Sequence, residues 1–475
     1  MKQLRVHQRD LPAGCDPFES YLRLKGDAPS VLFDGRPPAS ERNRTAMVLF
    51  DPFDVVKLPA GSDRRSQNSN PMAGPSARLA AFTAGLDCKG TPFAGGAAGW
   101  FAYDLGRHLE RLPATARSDS SVPDLWFGLF NRGLVIDLDT GEARIFVTEI
   151  ERAGRSGRSY VKRAFADTLE RLQAERARLP EVRGSGRLCS NFGRSDYLRA
   201  VDRVREFIRA GEVYQVNLSQ RFESACEDDP LAIFGRLRAA NPAPFSALVQ
   251  TGETALLCSS PERFLRLCGD LVETRPIKGT RERTGDPARD EAARLDLLGS
   301  RKDAAELAMI VDLERNDLGR VARFGSVEVI ESGRLEAYAT VFHREALIRC
   351  QLRPGLCAPE LLAACFPGGS ITGAPKIRAM EVIEELEKLR RGAFTGSIGW
   401  IGFDGDLDLN IAIRTLVLES GRAHFHCGGG IVLDSDPEQE YLETLSKGRA
   451  LAAALKLELT PDSIDRRRSL GYPGR

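Results

Sequence analysis

The chain has 475 residues, 42% apolar and 28% charged, enough to bury a large core and too apolar for a disordered polymer. Its 67 Lys and Arg nearly cancel 66 Asp and Glu, so the basic excess of a nucleic-acid or membrane-surface protein is missing and no such partner is expected. No run reaches the roughly 18 apolar residues of a membrane span, and Met1–Asp10 is polar with no apolar stretch behind it, which predicts a cytoplasmic protein.

Residues 1–180 read as an N-terminal region of strands joined by turns. Ala46–Val56 and Leu125–Ile136 are β-rich, Asp137–Gly141 is a turn, and helices are predicted near Ala77–Leu86 and Tyr160–Arg178. A Pro-, Gly-, Ser- and Arg-containing linker follows over residues 181–192. Residues 193–459 form the second region. Arg194-Ser195-Asp196 signals a helix start, after which Leu198, Val201, Val204, Phe207 and Ile208 recur at helical spacing until Gly211. Val213–Phe222 alternates as a strand, and Leu256–Leu267 and Asp270–Ile277 are further strands. Asp303–Asn316 carries the apolar stripe Ala305, Met309, Ile310 and Leu313 of a helix. Another helix spans Pro375–Arg390, with Thr372 near its cap and Gly392 past its end. Gly396–Phe403, Leu407–Leu418 and Ala423–Gly428 form a meander, and Pro437–Leu455 is the last helix. The polar, basic stretch 460–475 is expected to be a disordered tail.

Ten cysteines without a C-x-x-C pair, and five scattered histidines, predict neither a disulfide framework nor a zinc site. Two acidic clusters lie on predicted helices: Asp303 with Glu306 one turn on, and Glu440, Glu443 and Lys447 on one face. Carboxylates from two helices meeting over a cavity would suit Mg²⁺, whereas an ordinary solvated face with a Glu443–Lys447 pair fits the same spacing. Phe366–Lys376 is a Gly-rich loop opening a helix, whose amides would hold an anion; Ala374 and Pro375 replace the Lys and Ser/Thr of a P-loop. Gly428-Gly429-Gly430 allows either close approach to a carboxylate or a bulge. Lys278, after Pro276 and before Gly279, reads as an exposed strand-end lysine or as a nucleophile. For the second role its pKa must fall, because roughly one lysine in a thousand is neutral at physiological pH.

Taken together, these segments resemble the chorismate-utilising enzyme family. The resemblance rests on Ser259-Ser-Pro-Glu-Arg-Phe264, Arg275-Pro-Ile-Lys-Gly-Thr280, Lys302-Asp-Ala-Ala-Glu-Leu307 and Met309–Val321. It continues through the Gly-rich loop, Ile413-Arg-Thr415 and Gly428-Gly-Gly-Ile-Val, ending at Glu443-Thr-Leu-Ser-Lys447. Pro92–Tyr103 is similar to the family's N-terminal glycine-rich segment. The resemblance implies an α+β fold of two β-sheets packed face to face with helices outside, both sequence halves contributing. It implies that Glu306 and Glu443 bind Mg²⁺, and that Glu262 is the general acid for the C4 hydroxyl of chorismate. Arg414, Lys447, the amides of Gly428, Gly429 and Gly430, and the loop residues Thr372 and Gly373 would bind substrate, with His343 near the ring.

Two positions bear on the reaction. Water-adding members of the family carry a lysine where this chain has Gln215, which cannot act as a base. Anthranilate synthases typically carry Ala at Lys278, and the Lys form is similar to aminodeoxychorismate synthases, which aminate chorismate at C4 on the way to 4-aminobenzoate and folate. Ammonia is then expected from a separate glutamine amidotransferase subunit, since the chain shows no glutaminase triad motif of its own.

Overall fold

A computed structural model of the chain describes residues 5–35, 45–61, 93–175, 178–184, 186–338 and 341–464. The helix expected near Ala77–Leu86 and most of the tail lie outside the described residues. Two antiparallel sheets form the molecule's centre. The larger runs from the N-terminal strands Val6–Leu11, Ala143–Thr148, Arg132–Asp137, Thr45–Phe50 and Ser30–Phe33 into Phe245–Gln250, Thr254–Ser260, Thr415–Glu419, Arg422–Ile431, Gln215–Ala225 and the short Gly373–Ala374. The smaller contains Ile277–Glu282, Val341–Gln351, Leu271–Arg275, Arg263–Cys268, Leu407–Asn410 and Ser397–Gly402, followed by Gly96–Phe101, Leu125–Phe130 and Asp54–Leu58. Each sheet therefore joins early strands to late ones. Val31 pairs with Val249 in one sheet and Gly99 with Gly399 in the other.

Period-2 alternation builds the layers. Val31, Met47, Leu49, Leu256 and Cys258 point between the sheets, where they meet Ala98, Trp100, Trp126 and Ile398 from the other sheet. Trp100 and Trp126 stack at 5.3 Å there, and the Trp100 indole donates to the Pro123 carbonyl at 3.0 Å. Their neighbours Leu32, Ala46, Val48, Phe50 and Leu257 point outward, under helices Pro17–Leu24, Arg194–Arg209, Pro230–Ala240, Lys376–Glu387 and Pro437–Ala454. Helices Arg301–Gly319 and Ala358–Cys365 cover the outer face of the smaller sheet through Leu307, Val311, Leu361 and Leu362. The arrangement is the expected α+β one, two packed sheets with helices outside. Every cysteine among the described residues is free.

Three expected strands are broken, and the breaks matter. Leu256–Leu267 divides at Pro261-Glu262 into a strand of the larger sheet and a strand of the smaller one, since proline has no N–H for a continuous ladder. Leu407–Leu418 likewise divides at Ile411–Arg414 and crosses between sheets in the opposite direction. The two crossovers are laced together: Ile411 N–H donates to the Glu262 carbonyl at 3.0 Å, the Ser260 hydroxyl donates to the Ile411 carbonyl at 2.6 Å, and Ser259 N–H donates to the Arg414 carbonyl at 3.1 Å. Asp270–Ile277 divides at Pro276, and the strand after it bulges between Ile277 and Thr280. The helix opened by the Gly-rich loop spans Lys376–Glu387, shorter than expected, and ends on Lys388 in the left-handed region.

Candidate active site

The crossovers, the bulge and two helix faces converge at the seam of the sheets. Gly279 holds the bulge with φ +86, and a Cβ there would lie 2.9 Å from the Asp303 carboxyl carbon, so the bulge is pressed onto the helix Arg301–Gly319. This aims Lys278 inward, where its Nζ donates to the Ser370 carbonyl at 3.4 Å. The lysine is half-buried and ringed by protein. Desolvation lowers its pKa, opposed by the carboxylates of Glu306, Glu262 and Glu443, while Lys447 lowers it further. Lys278 is thus turned inward rather than left exposed at the end of its strand.

Glu262, on the first crossover, is buried. Burial raises its carboxyl pKa, and the Ser370 hydroxyl, Lys278, the Ile277 N–H and Lys447 oppose the rise. A carboxyl whose pKa is raised is the kind of group a general acid needs. Glu306 sits in the second turn of its helix, whose cap is the Ser300 hydroxyl accepting from Asp303 N–H. Burial raises Glu306, Lys278 and Lys302 lower it, and Asp303 and Glu443 raise it again. Glu443 projects from the helix Pro437–Ala454, capped by Asp436. Its side chain is 49% exposed although protein surrounds it, the signature of a group lining an open concavity. Burial pushes its carboxyl up, but Lys447 at 2.6 Å, with Lys302 and Lys278, more than offsets this and holds it below the ordinary range. Glu440 adds a further acid beside Glu443, anchored by the Ser435 hydroxyl at 2.7 Å.

Crowded carboxylates from two helices form a donor set for a hard cation. Among the described residues no three ligating side chains converge as an all-protein metal cage. The oxygen donors of Glu306 and Glu443, close enough that Glu443 raises the Glu306 pKa, are of the kind an ion such as Mg²⁺ would take alongside several waters.

Arg414 (φ +50) lies near His343 and the Cys427 thiol. Burial lowers its pKa, and it makes no ion pair with a carboxylate among the described residues, so its charge is available to an anionic ligand. His343 shares a 2.9 Å hydrogen bond between Nδ1 and the Thr280 hydroxyl. Its Nε2 is buried without a partner, and burial beside Arg414 brings its pKa down to about 3, so the imidazole is neutral. Lys447 also donates to the Gly428 carbonyl at 2.9 Å.

The glycine run is a continuous strand segment, not a turn. A Cβ on Gly428 would meet the Leu218 carbonyl at 2.3 Å, one on Gly429 the Glu440 carboxylate at 3.0 Å, and one on Gly430 the Gln215 amide at 2.1 Å. The Gly-rich loop differs from a phosphate cradle. Gly373 pairs with Val216, the Thr372 hydroxyl donates back to the Gly368 carbonyl at 3.0 Å, and the Thr372 carbonyl accepts from Asn217 N–H at 2.9 Å. Gln215 itself is fully buried with neither side-chain atom hydrogen-bonded. Glu314 is buried near Glu262, at a position that no sequence motif marks. The signal available was a charged residue four positions after Ile310 on a stripe that otherwise faces the core.

Residues 29–453 match the chorismate binding enzyme family. This chain is a member of that family. The family member is 45% identical over 359 residues to aminodeoxychorismate synthase component 1 of Salmonella typhimurium, covering 75% of this chain and 76% of the relative. It is also 41% identical over 458 residues to an anthranilate synthase component 1 of Haloarcula marismortui, covering 93% and 90%. Anthranilate synthase component I from Streptococcus pneumoniae superposes with a TM-score of 0.77 at 29% identity, over 92% of this chain and 97% of the other. No helix among the described residues is long and apolar enough to cross a membrane.

Proposed function

We propose that this chorismate-utilising enzyme is the synthase subunit of an aminodeoxychorismate synthase, aminating chorismate at C4 with ammonia from a glutamine amidotransferase partner. The observation that carries the reading is Lys278, bulged into the site among Glu262, Glu306 and Glu443 and stripped of much of its hydration. Arg414, Lys447 and the amides of Gly428–Gly430 anchor the substrate carboxylates, and neutral His343 lies against the ring. Glu262 gives its proton to the C4 hydroxyl, which leaves as water. The neutral Lys278 amine attacks C2 as that bond breaks, and ammonia then bonds to C4 and releases the lysine. Glu306 and Glu443 would hold Mg²⁺, whose charge neutralises a substrate carboxylate and fixes its position. Thr372 and Gly373 hold the loop that carries Ser370 against Lys278.

The alternative is anthranilate synthesis, supported by the Haloarcula relative's match over 93% of the chain. The two are separated by incubating the protein with chorismate, Mg²⁺ and ammonium. We expect a product that becomes 4-aminobenzoate only after lyase treatment; direct release of fluorescent anthranilate would replace this reading with the alternative.

A further inference from the structure

Just past the helix Lys376–Glu387, Arg391 is 3% exposed. A guanidinium carries five N–H donors in a rigid fork, and here each of them meets an acceptor. Nε donates to Glu387 Oε2 at 2.9 Å and Nη2 to Glu387 Oε1 at 2.6 Å, a two-pronged pair. Nη2 also donates to the Asn217 carbonyl at 2.7 Å, while Nη1 donates to the Ile371 carbonyl at 3.0 Å and to the Thr395 hydroxyl at 3.2 Å. Glu387 Oε1 accepts in addition from the N–H and the hydroxyl of Ser219, at 2.8 and 2.9 Å. Taking both charges out of water offsets much of their attraction, so an apolar pair of the same size would pack here as stably. What the fork adds is a fixed position for two main-chain carbonyls from separate elements.

Both carbonyls adjoin the site. Ile371 follows Ser370 in the turn Gly369–Ile371, and the Ser370 carbonyl is the acceptor of Lys278 Nζ at 3.4 Å. Asn217 donates from Nδ2 to that same carbonyl at 2.9 Å. The oxygen facing the lysine is therefore held directly by the Asn217 amide and, one residue on, by Arg391. An amine that gives an N–H to a fixed oxygen has fewer directions left for its lone pair, so the place of this carbonyl sets the line along which the nitrogen can attack.

We propose that the Ser370 carbonyl orients the Lys278 amine for attack, and that Arg391 and Asn217 are positioning residues holding this carbonyl in place. The inference rests on the amination reading. In that reading the amine lone pair forms the C2–N bond, the ring double bonds shift, and the C4 hydroxyl leaves as water with the proton from Glu262; the lysine nitrogen is left as an ammonium until ammonia displaces it. Arg391 and Asn217 act only through Lys278.

The test compares wild type, Asn217→Ala and Arg391→Lys as full chains with chorismate and Mg²⁺. Without ammonia it reads how fast a chorismate-derived mass appears on Lys278; with ammonium it reads kcat and the chorismate KM. Asn217→Ala leaves the Arg391–Glu387 pair whole, whereas Arg391→Lys keeps the charge but has no fork to reach both carbonyls. Adduct formation and kcat should fall by a common factor, roughly fivefold or more in Asn217→Ala and tenfold or more in Arg391→Lys, with KM within about twofold. An Asn217→Ala protein that forms the adduct at the wild-type rate overturns the inference, whether or not Arg391→Lys folds. A raised KM with an unchanged adduct rate at saturating chorismate also overturns it, because these residues then shape binding alone. Aminated product from a wild type with no adduct on Lys278 overturns the inference and leaves the amination reading standing. A wild type that does not aminate chorismate overturns both.

Discussion

Lys278 and Glu262 impose opposite pH demands. The lysine must be neutral, so turnover rises as pH passes its lowered pKa; the glutamate must be protonated, so turnover falls as pH passes its raised one. At fixed free ammonia, kcat should trace a bell, and Lys278→Ala should flatten its rising limb. A quenched sample without ammonia should carry a chorismate-derived mass on Lys278 in the wild type; aminated product without that adduct would leave the lysine an electrostatic role. Glu306→Gln and Glu443→Gln each remove a donor for the cation, and each should cost about 3 kcal/mol, roughly 150-fold, in Mg²⁺-dependent kcat. Normal Mg²⁺ titration curves in both variants would return these residues to an ordinary helix surface.

In the strand Arg422–Ile431, a Cβ on Gly428 would strike backbone, whereas one on Gly429 or Gly430 would meet the ends of the Glu440 and Gln215 side chains. Gly428→Ala would drive a methyl to 2.3 Å from the backbone carbonyl of Leu218, an atom that cannot swing aside. Overpacking of this kind should lower unfolding stability by about 1–3 kcal/mol in a denaturant titration, with turnover falling alongside it. Apolar spacing makes these strands and the long helices readable in the sequence, because period 2 and period 3.6 survive in a single chain. The crossovers did not show themselves. A strand that leaves one sheet for another keeps its alternation, and only Pro261 hinted at the break. Spacing also put Glu306 and Glu443 on separate helices, but their meeting depends on two sheets and a bulge that lie between them in sequence. The orphaned amide of Gln215 is a three-dimensional fact with no pattern of its own.

For the molecule as a whole, buried imidazoles set an acid limit. His426 is buried, stacked on Phe394 at 4.9 Å; desolvation, then Arg221, His424 and Arg391, push its pKa well below normal. His343 behaves likewise, at about 3. The unfolded chain takes up protons at both below about pH 6.5 while the folded chain refuses them, so stability falls with pH below that value. The slope is at most about 1.4 kcal/mol per histidine per pH unit. Melting temperature should drop between pH 7.5 and 5, and His426→Phe should make the drop shallower; an identical slope in the variant would assign the acid limit elsewhere. The joining of early strands to late ones in both sheets has a different consequence. A fragment starting near Arg194 would keep most of the residues that line the cavity, yet it would bare Phe245–Gln250 in one sheet and Ser397–Gly402 in the other. Unsatisfied ladder edges recruit strands from neighbouring copies, so such a fragment should polymerise into insoluble material rather than serve as a minimal enzyme.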